Sequence, residues 1–156
     1  MATERAGEAA SGPRYRLEPD GDAATTVVVT GDEPQDVLVA ALRGVLAAAV
    51  GKASMGEGND AALAAPVEAR GADLAETFAG LADGLLAQVD VFGAGLEGVR
   101  IDGLLETDDG GYSAWGYVVG RERGGPLPRA IELAGPVSVV ADETGRIELR
   151  CPLRPV

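Results

Sequence analysis

The stretch Ala65–Val89 constrains the fold of this chain most, because it combines a short strand, a glycine and an amphipathic helix. Asp73 and Glu76 have the spacing of a capping box, in which each carboxylate accepts a backbone N–H left free in the first helical turn. Gly71, just before them, lets the chain change from extended to helical without a Cβ penalty. Apolar side chains then recur at the helical period and predict one buried face: Leu74, Phe78, Leu81, Leu85 and Val89. We interpret this helix as a core element around which most of the fold is organised.

A similar strand–helix unit lies 40 residues earlier in the chain. Thr25–Thr30 is a β-branched run typical of a strand. We expect Asp32 or Glu33 to cap the following helix, with Pro34 in its first turn and its end near Val50. The predicted buried stripe of this helix is Val37, Leu38, Ala41, Val45 and Leu46. Five residues recur at the offset: Val27, Gly31, Gly44, Leu46 and Ala47 match Val67, Gly71, Gly84, Leu86 and Ala87.

The rest of the chain is rich in predicted strands, which we place at Tyr15–Leu17, Pro66–Arg70, Leu96–Glu106, Tyr112–Val119, Val137–Val140 and Ile147–Cys151. Asp108–Gly111 and Asp142–Gly145 have the composition of hairpin turns. Residues 1–13 lack periodicity and are predicted to be a disordered tail, which leaves 14–156 as a single domain. The predicted fold class is α+β, with a largely antiparallel sheet and two helices packed on one face.

Charge and composition exclude several function classes. The net charge of -12 repels phosphate backbones, so we expect no direct nucleic-acid binding. With no histidine, the chain has no histidine-dependent catalytic triad, and a bound metal would be a hard cation with oxygen ligands. Cys151, the one cysteine, lies in a strand pattern and is predicted to be a buried structural thiol. Because we find no signal peptide and no membrane-spanning run, we expect a cytoplasmic protein without membrane partners.

Candidate chemistry rests on carboxylates. Nucleotide-binding and nucleophile motifs are absent, and the acidic pairs Asp108–Asp109 and Asp142–Glu143 fall at predicted hairpin tips, where acid–base catalysis is rare. The acidic turn formed by Glu18, Asp20 and Asp22 suits Ca²⁺ or Mg²⁺, although these residues also suit simple turn geometry.

Trp115 and Tyr117 lie on one face of a predicted strand, and we interpret both as sheet-packing residues rather than a base-stacking platform. A loop over residues 120–129 carries the basic residues Arg121, Arg123 and Arg129.

Several stretches resemble the archease family, small acidic proteins that assist an RNA-splicing ligase. Val27–Asp32, running into a helix, is similar to the family's strand that ends in an aromatic residue, glycine and aspartate or serine, followed by an acidic helix start. Val67–Glu76, with its helix reaching Asp90, is similar to the family's acidic-Asp-Leu helix and its terminal aspartate. The Asp142–Arg146 hairpin also fits, and the resemblance covers about Tyr15–Val156. It implies the same two-helix fold, no enzymatic activity, a protein partner such as an RNA ligase, and a role in tRNA processing.

The departures from the family fall on its metal ligands. The family's His-Thr-Ala-Asp, whose aspartate binds a cation, corresponds to residues 21–24 here (Gly, Asp, Ala, Ala). Its Thr-Tyr-His corresponds to Leu133–Gly135, and its C-terminal aspartate, a second ligand, falls near Arg154. The resemblance therefore implies Ca²⁺ or Mg²⁺ only if Asp20 or Asp22 substitutes as a metal ligand. The reversed charge near Arg154 predicts that no cofactor is bound.

Two functional hypotheses follow from this comparison. The first is an archease-like accessory protein that assists guanylylation and turnover of an RNA-splicing (tRNA) ligase. The second is a metal-free protein-interaction or scaffold module that has lost the ligase-activating site. A small-molecule enzyme that uses turn carboxylates is a third, weaker hypothesis.

Overall fold

The structure is a computed structural model that describes residues 13–21, 23–51, 63–120 and 128–156. Of the tail predicted over residues 1–13, only Pro13 is among these described residues. In chain order the elements are β1 (Tyr15–Pro19), β2 (Thr25–Gly31), α1 (Pro34–Val50), β3 (Leu63–Gly71), α2 (Leu74–Phe92), β4 (Leu96–Glu106), β5 (Tyr112–Gly120), β6 (Ile131–Leu133), β7 (Ser138–Ala141) and β8 (Ile147–Pro155). A 3₁₀ turn, Gly93–Gly95, joins α2 to β4. The predicted order of elements is confirmed, with β6 as an addition.

The strands form two antiparallel sheets. The larger sheet has the order β1-β2-β8-β6, with β7 also paired to β8, and the smaller sheet has the order β3-β5-β4. The predicted α+β class, the two helices and the antiparallel pairing are confirmed, but the strands divide between two sheets instead of forming one. Alternation along a strand indicates which face is buried, whereas the neighbouring strand is chosen by long-range pairing. For that reason the sequence did not reveal the division.

Each helix packs against strands of both sheets. α1 contacts β1, β2 and β8 of the larger sheet and β4 of the smaller one. α2 contacts β3 and β5 of the smaller sheet and β6 and β7 of the larger one. One hydrophobic cluster therefore connects all the layers, and its largest fully buried side chains include Leu38, Leu42, Leu46, Phe78, Leu81, Leu85, Leu96, Leu149 and Leu153. The predicted apolar faces of both helices are confirmed, with Leu74 partly buried at the margin.

The Asp73 half of the predicted capping box of α2 is confirmed, whereas Glu76 bonds to Ala72, the residue before the N-cap. Asp73 accepts a hydrogen bond from the Glu76 N–H at 2.8 Å, and the Glu76 carboxylate accepts from the N–H of Ala72 at 2.7 Å. Gly71 is needed here because a Cβ at this position would lie 2.5 Å from the backbone nitrogen of Thr77. Such an approach is too close for any other residue, so the glycine permits the tight strand-to-helix joint.

The start of α1 differs from the prediction. Glu33 occupies the N-cap position, but its side chain makes no capping hydrogen bond. Asp32 instead forms an ion pair with Arg146 at 3.4 Å. Pro34 occupies the first turn as predicted, where its missing N–H is tolerated. The carboxylate of Asp32 thus pairs with the residue just before β8 and does not cap the helix.

The two strand–helix units repeat in their contacts as well as in their sequence. A Cβ added to Gly44 in α1 would lie 2.6 Å from Cγ1 of Val27 in β2. A Cβ added to Gly84 in α2 would meet Cγ1 of Val67 in β3, at 3.7 Å. The same glycine–valine contact thus recurs at an offset of 40 residues. In both units the helix crosses its own preceding strand at this point.

Two glycines of α2 allow a direct test of this packing. Gly84→Ala should raise the free energy of unfolding by about 0.5–1 kcal/mol, because alanine favours the helix and its Cβ would make an ordinary contact. Gly80→Ala gains the same helix propensity, but its Cβ would lie 2.8 Å from that of Ala69. The resulting overpacking should cost about 1–3 kcal/mol. Urea unfolding followed by circular dichroism measures both variants, and equal stabilities would contradict the proposed packing.

Candidate functional site

Asp20, one of the two predicted metal residues, lies at one end of the larger sheet. Pro19 pairs with Thr25, and Thr25 pairs in turn with Leu153 of β8. The backbone N–H of Asp20 donates to the carbonyl of Ala24 at 2.9 Å and closes the turn between β1 and β2. This turn and the C-terminal end of β8 therefore lie at the same end of the sheet. The strand register brings together the two regions in which the resemblance places its metal ligands.

The carboxylates of the acidic turn have different surroundings. Glu18 forms ion pairs with Arg16 at 2.8 Å and with Arg150 at 3.4 Å. The hydrogen bond from Arg16 is the main reason that the pKa of Glu18 lies below its usual value. Asp20 is exposed, and Asp22 lies outside the described residues. The metal site predicted at Asp20 and Asp22 therefore stays a prediction, while Glu18 is already engaged by arginines.

A narrow crevice beside the turn has a volume of about 10 Å³, which is room for about one water molecule. It is lined by Ala23, Thr25, Ala48, Arg129, Ile131, Leu153 and Arg154. Two of these residues are arginines and none is acidic. Glu132 lies next to the crevice, where it accepts from Nε of Arg154 at 2.7 Å. The guanidinium groups oppose a cation at this position, so the described lining does not fit Ca²⁺ or Mg²⁺.

No other cation cage exists in the part of the chain that the structure describes. Among those residues, no group of three or more histidine, cysteine, aspartate or glutamate side chains is placed to hold a metal ion. The basic loop predicted over 120–129 is described only in part. Of its arginines, Arg129 is exposed and its backbone N–H donates to the carbonyl of Ala49 at 2.7 Å, whereas Arg121 and Arg123 lie outside the described residues.

The two acidic pairs at the hairpin tips act as turn anchors. Asp109 accepts from the Thr107 hydroxyl, and this hydrogen bond is the main reason that its pKa is lowered. The pKa of Asp142 is lowered in the same way, chiefly by the side-chain hydrogen bond from Thr144. A general acid at neutral pH needs the opposite shift. The prediction that both pairs lie at hairpin tips is confirmed by their positions between β4 and β5 and between β7 and β8.

The smaller sheet carries a feature that sequence reasoning did not identify as a site. Ala114 and Val118 of β5 point into the core, so the alternate residues Trp115 and Tyr117 lie on the opposite face of the sheet. Trp115 is 38% exposed. Its indole ring lies over Gly103 of β4, where any Cβ would collide with it. The ring is therefore packed on the sheet, as predicted, and also open to solvent.

We call this surface the Trp115 face and define it by Glu68, Arg70, Arg100, Leu105, Trp115 and Tyr117. Next to the indole is an open depression of about 310 Å³, lined by Glu68, Ala69, Arg70, Ser113 and Ala114 together with Trp115. Leu105, at the end of β4, is 59% exposed. Alternation of apolar and polar residues in β5 was the only signal for this face, and alternation alone does not separate a covered face from an open one.

Comparison with known proteins yields a structural match only. The sequence matches no protein-family model and no curated protein. Among solved structures, it matches the solution structure of Methanobacterium thermoautotrophicum protein 1598, with a TM-score of 0.66 and 21% sequence identity. The match covers 92% of this chain and 98% of that one. The two proteins share a fold. At this identity the comparison supports the architecture and says nothing about activity.

Within the described residues, no helix is long and apolar enough to span a membrane.

Cys151 has the environment of a structural thiol, as predicted. It is fully buried in β8, and burial is the main cause that raises its pKa to about 12. A nucleophilic cysteine requires a lowered pKa, so this thiol is not an activated one.

This environment predicts very slow reaction of the native thiol with Ellman's reagent. At pH about 8 the thiolate fraction of the folded protein should be roughly a thousandfold lower than that of the unfolded chain, whose thiol has a pKa of about 8.5. The same chain in denaturant is the control and should react at the normal rate. Rapid reaction without denaturant would contradict the buried placement of Cys151.

Proposed function

We propose that this chain is an archease-like accessory protein that acts by binding a protein partner and has no catalytic activity of its own. The observation that carries the proposal is the location of the two stretches that resemble the family. Val27–Asp32 forms β2 and its joint to α1, and Val67–Glu76 forms β3 and its joint to α2. Each joint lies in one of the two equivalent strand–helix units of the fold. The match to a solved structure over 92% of the chain supports the same architecture.

The partner that this resemblance favours is an RNA-splicing ligase, whose guanylylation and turnover the chain would assist during tRNA processing. The net charge of -12 supports contact with a basic protein surface rather than with RNA itself. The pKa values of Asp109 and Asp142, both lowered, and the buried Cys151 thiol support a role in binding over a role in acid–base or nucleophilic catalysis.

A second candidate is a metal-free interaction module, and the crevice at the end of β8 favours it. Arg129 and Arg154 occupy the lining at the position where the resemblance requires carboxylates, and Glu132 is already paired with Arg154. A guanidinium group there repels Ca²⁺ or Mg²⁺. In this version the chain keeps the binding scaffold of the accessory protein and has lost cation delivery.

Metal addition separates the two candidates. We expect Ca²⁺ or Mg²⁺, at concentrations up to a few millimolar, to leave the melting temperature of the chain unchanged. A site saturated at about 100 times its Kd would add about 2.7 kcal/mol, which is a rise of about 5–10 °C for a chain of this size. A rise in melting temperature that is lost in both Asp20→Ala and Asp22→Ala, but kept in Glu143→Ala, would support an accessory protein that binds a cation.

Ligase activity tests the accessory role. A purified RNA-splicing ligase should complete more turnovers, and incorporate guanylate faster, when this chain is added. If the chain works without a cation, prior dialysis against EDTA should leave the stimulation unchanged. Binding to the ligase without stimulation would favour the interaction module. The absence of both binding and stimulation would remove the ligase as the partner.

A further inference from the structure

The outer faces of the two sheets differ in how their charges are satisfied. On the larger sheet, Glu18 is paired with Arg16 and Arg150, and Arg150 is paired in turn with Glu148 at 3.7 Å. These ion pairs join side chains of the same surface. On the Trp115 face, Glu68 and Arg70 make no ion pair with any described residue. No described cation pairs with Glu68 beside the exposed indole ring, whereas Arg70 lies close enough to Asp109 to help lower the pKa of that carboxyl.

The Trp115 face contains a complete example of cation recognition made by its own residues. The guanidinium carbon of Arg100 lies 5.1 Å from the centroid of the Tyr117 ring. Nε of the same guanidinium group donates to the Asp102 carboxylate at 2.9 Å. The cation is therefore held by an aromatic ring and a carboxylate together, an arrangement in which each contact supports the other.

Trp115 and Glu68 place a ring and a carboxylate on neighbouring strands of the same face, whereas Asp102 lies on the same strand as Arg100. Glu68 of β3 is directly opposite Trp115 in the strand register, and Gly103 is the neighbour of Trp115 on the other side. Because Gly103 has no side chain, β4 supplies no cation at this position, whereas one row away Arg100 supplies it for Tyr117. A ring and a carboxylate are left open to a cation from another molecule.

Arg70 adds a second requirement. It follows Glu68 by two residues on β3, lies opposite Ser113, and lines the same depression as Trp115. Side chains two residues apart on one face of a strand are separated by about 6.6 Å, which is also the spacing in any extended peptide laid alongside. The negative charge of Glu68 and the positive charge of Arg70 are therefore complementary to an extended peptide in which a basic and an acidic residue are separated by one residue.

We propose that the Trp115 face binds an extended segment of a protein partner in which a lysine or arginine and an aspartate or glutamate are separated by one residue. The basic side chain lies over Trp115 beside Glu68, and the acidic side chain pairs with Arg70. This inference rests on the proposed function, since it names the surface through which an accessory protein of this kind contacts its partner.

Charge and area argue against other occupants. A second copy of the chain would bring together two molecules that each have a net charge of -12. The face spans three strands and has a footprint of about 400 Å², less than the roughly 800 Å² per partner of a standard stable interface. The same net charge opposes nucleic acid. A short peptide segment with its own basic residue fits both the size and the charge.

The chain has one tryptophan, so the indole N–H resonance of Trp115 reports directly on occupancy of the face. We would titrate the isotope-labelled full chain with the end-blocked heptapeptide Gly-Ser-Lys-Ser-Glu-Ser-Gly. Two control peptides have the same length: in one glutamine replaces lysine, and in the other lysine and glutamate are adjacent, which sends their side chains to opposite sides of an extended strand. The first peptide should shift the indole resonance with a Kd about two- to fivefold lower than either control.

Two matched variants test the role of the carboxylate. Glu68→Gln should weaken binding of the first peptide about two- to fivefold, because it removes the anionic half of the cation site. Glu143→Gln removes the same charge at the exposed tip of the β7–β8 hairpin and should leave the Kd unchanged. Equal effects of the two variants, equal binding of all three peptides, or no shift by any of them would overturn the proposal, as would tighter binding of a thymidine oligonucleotide.

The peptide titration needs no ligase, so its failure can be distinguished from failure of the proposed function. Stimulation of the ligase together with a silent indole resonance would keep the accessory role and remove the Trp115 face as its surface. A specific indole shift without any effect on the ligase would support the face and replace the ligase by another protein that carries such a segment.

Discussion

Burial of each helix against both sheets is the interaction on which the rest of the structure depends. The two sheets share no paired strands in the described part of the chain, so hydrogen bonding does not join them. α1 and α2 provide the connection, because leucines and Phe78 on their inner faces enter one common cluster. Each such side chain, when fully buried, contributes about 1.5–3 kcal/mol. With few aromatic residues, the chain depends on many aliphatic contacts of this kind.

The repeated strand–helix unit explains how a chain with so much alanine and glycine packs closely. Glycine lies at the crossing of each helix with the strand before it, and at Gly44 the approach is close enough that a Cβ would lie 2.6 Å from Val27. Where the side chains at the crossing are small, the helix lies closer to the strand, and no empty space is left between them. The sequence similarity between residues 40 positions apart thus has a counterpart in the packing, and this supports a structural reason for the similarity.

Arginine placement distinguishes two surfaces of this strongly acidic protein. At the end of β8, Arg154 and Arg129 occupy the position of a cation, and the charge that would recruit a metal is reversed. On the smaller sheet, Arg100 completes a ring-and-carboxylate site, while Trp115 and Glu68 lack such a partner.

The sequence by itself determined the elements that local physics controls. Periodicity identified both helices, the spacing of Asp73 and Glu76 identified a helix start, and glycines after acidic residues identified the hairpins. It also determined the net charge and, through the absence of histidine, the exclusion of histidine chemistry. Of the two predicted caps, Glu33 occupies the N-cap position without a capping hydrogen bond, and Asp32 instead pairs with Arg146, which is distant in the chain.

Only the tertiary structure decided the division into two sheets and the relation of Glu68 to Trp115. It also brought Arg154 beside Ala23 and Thr25, at the turn where the Asp20 and Asp22 site is predicted. The physical reason is that strand partners and surface neighbours are selected by contacts between distant residues. Local propensity and alternation carry no information about which distant residues will meet.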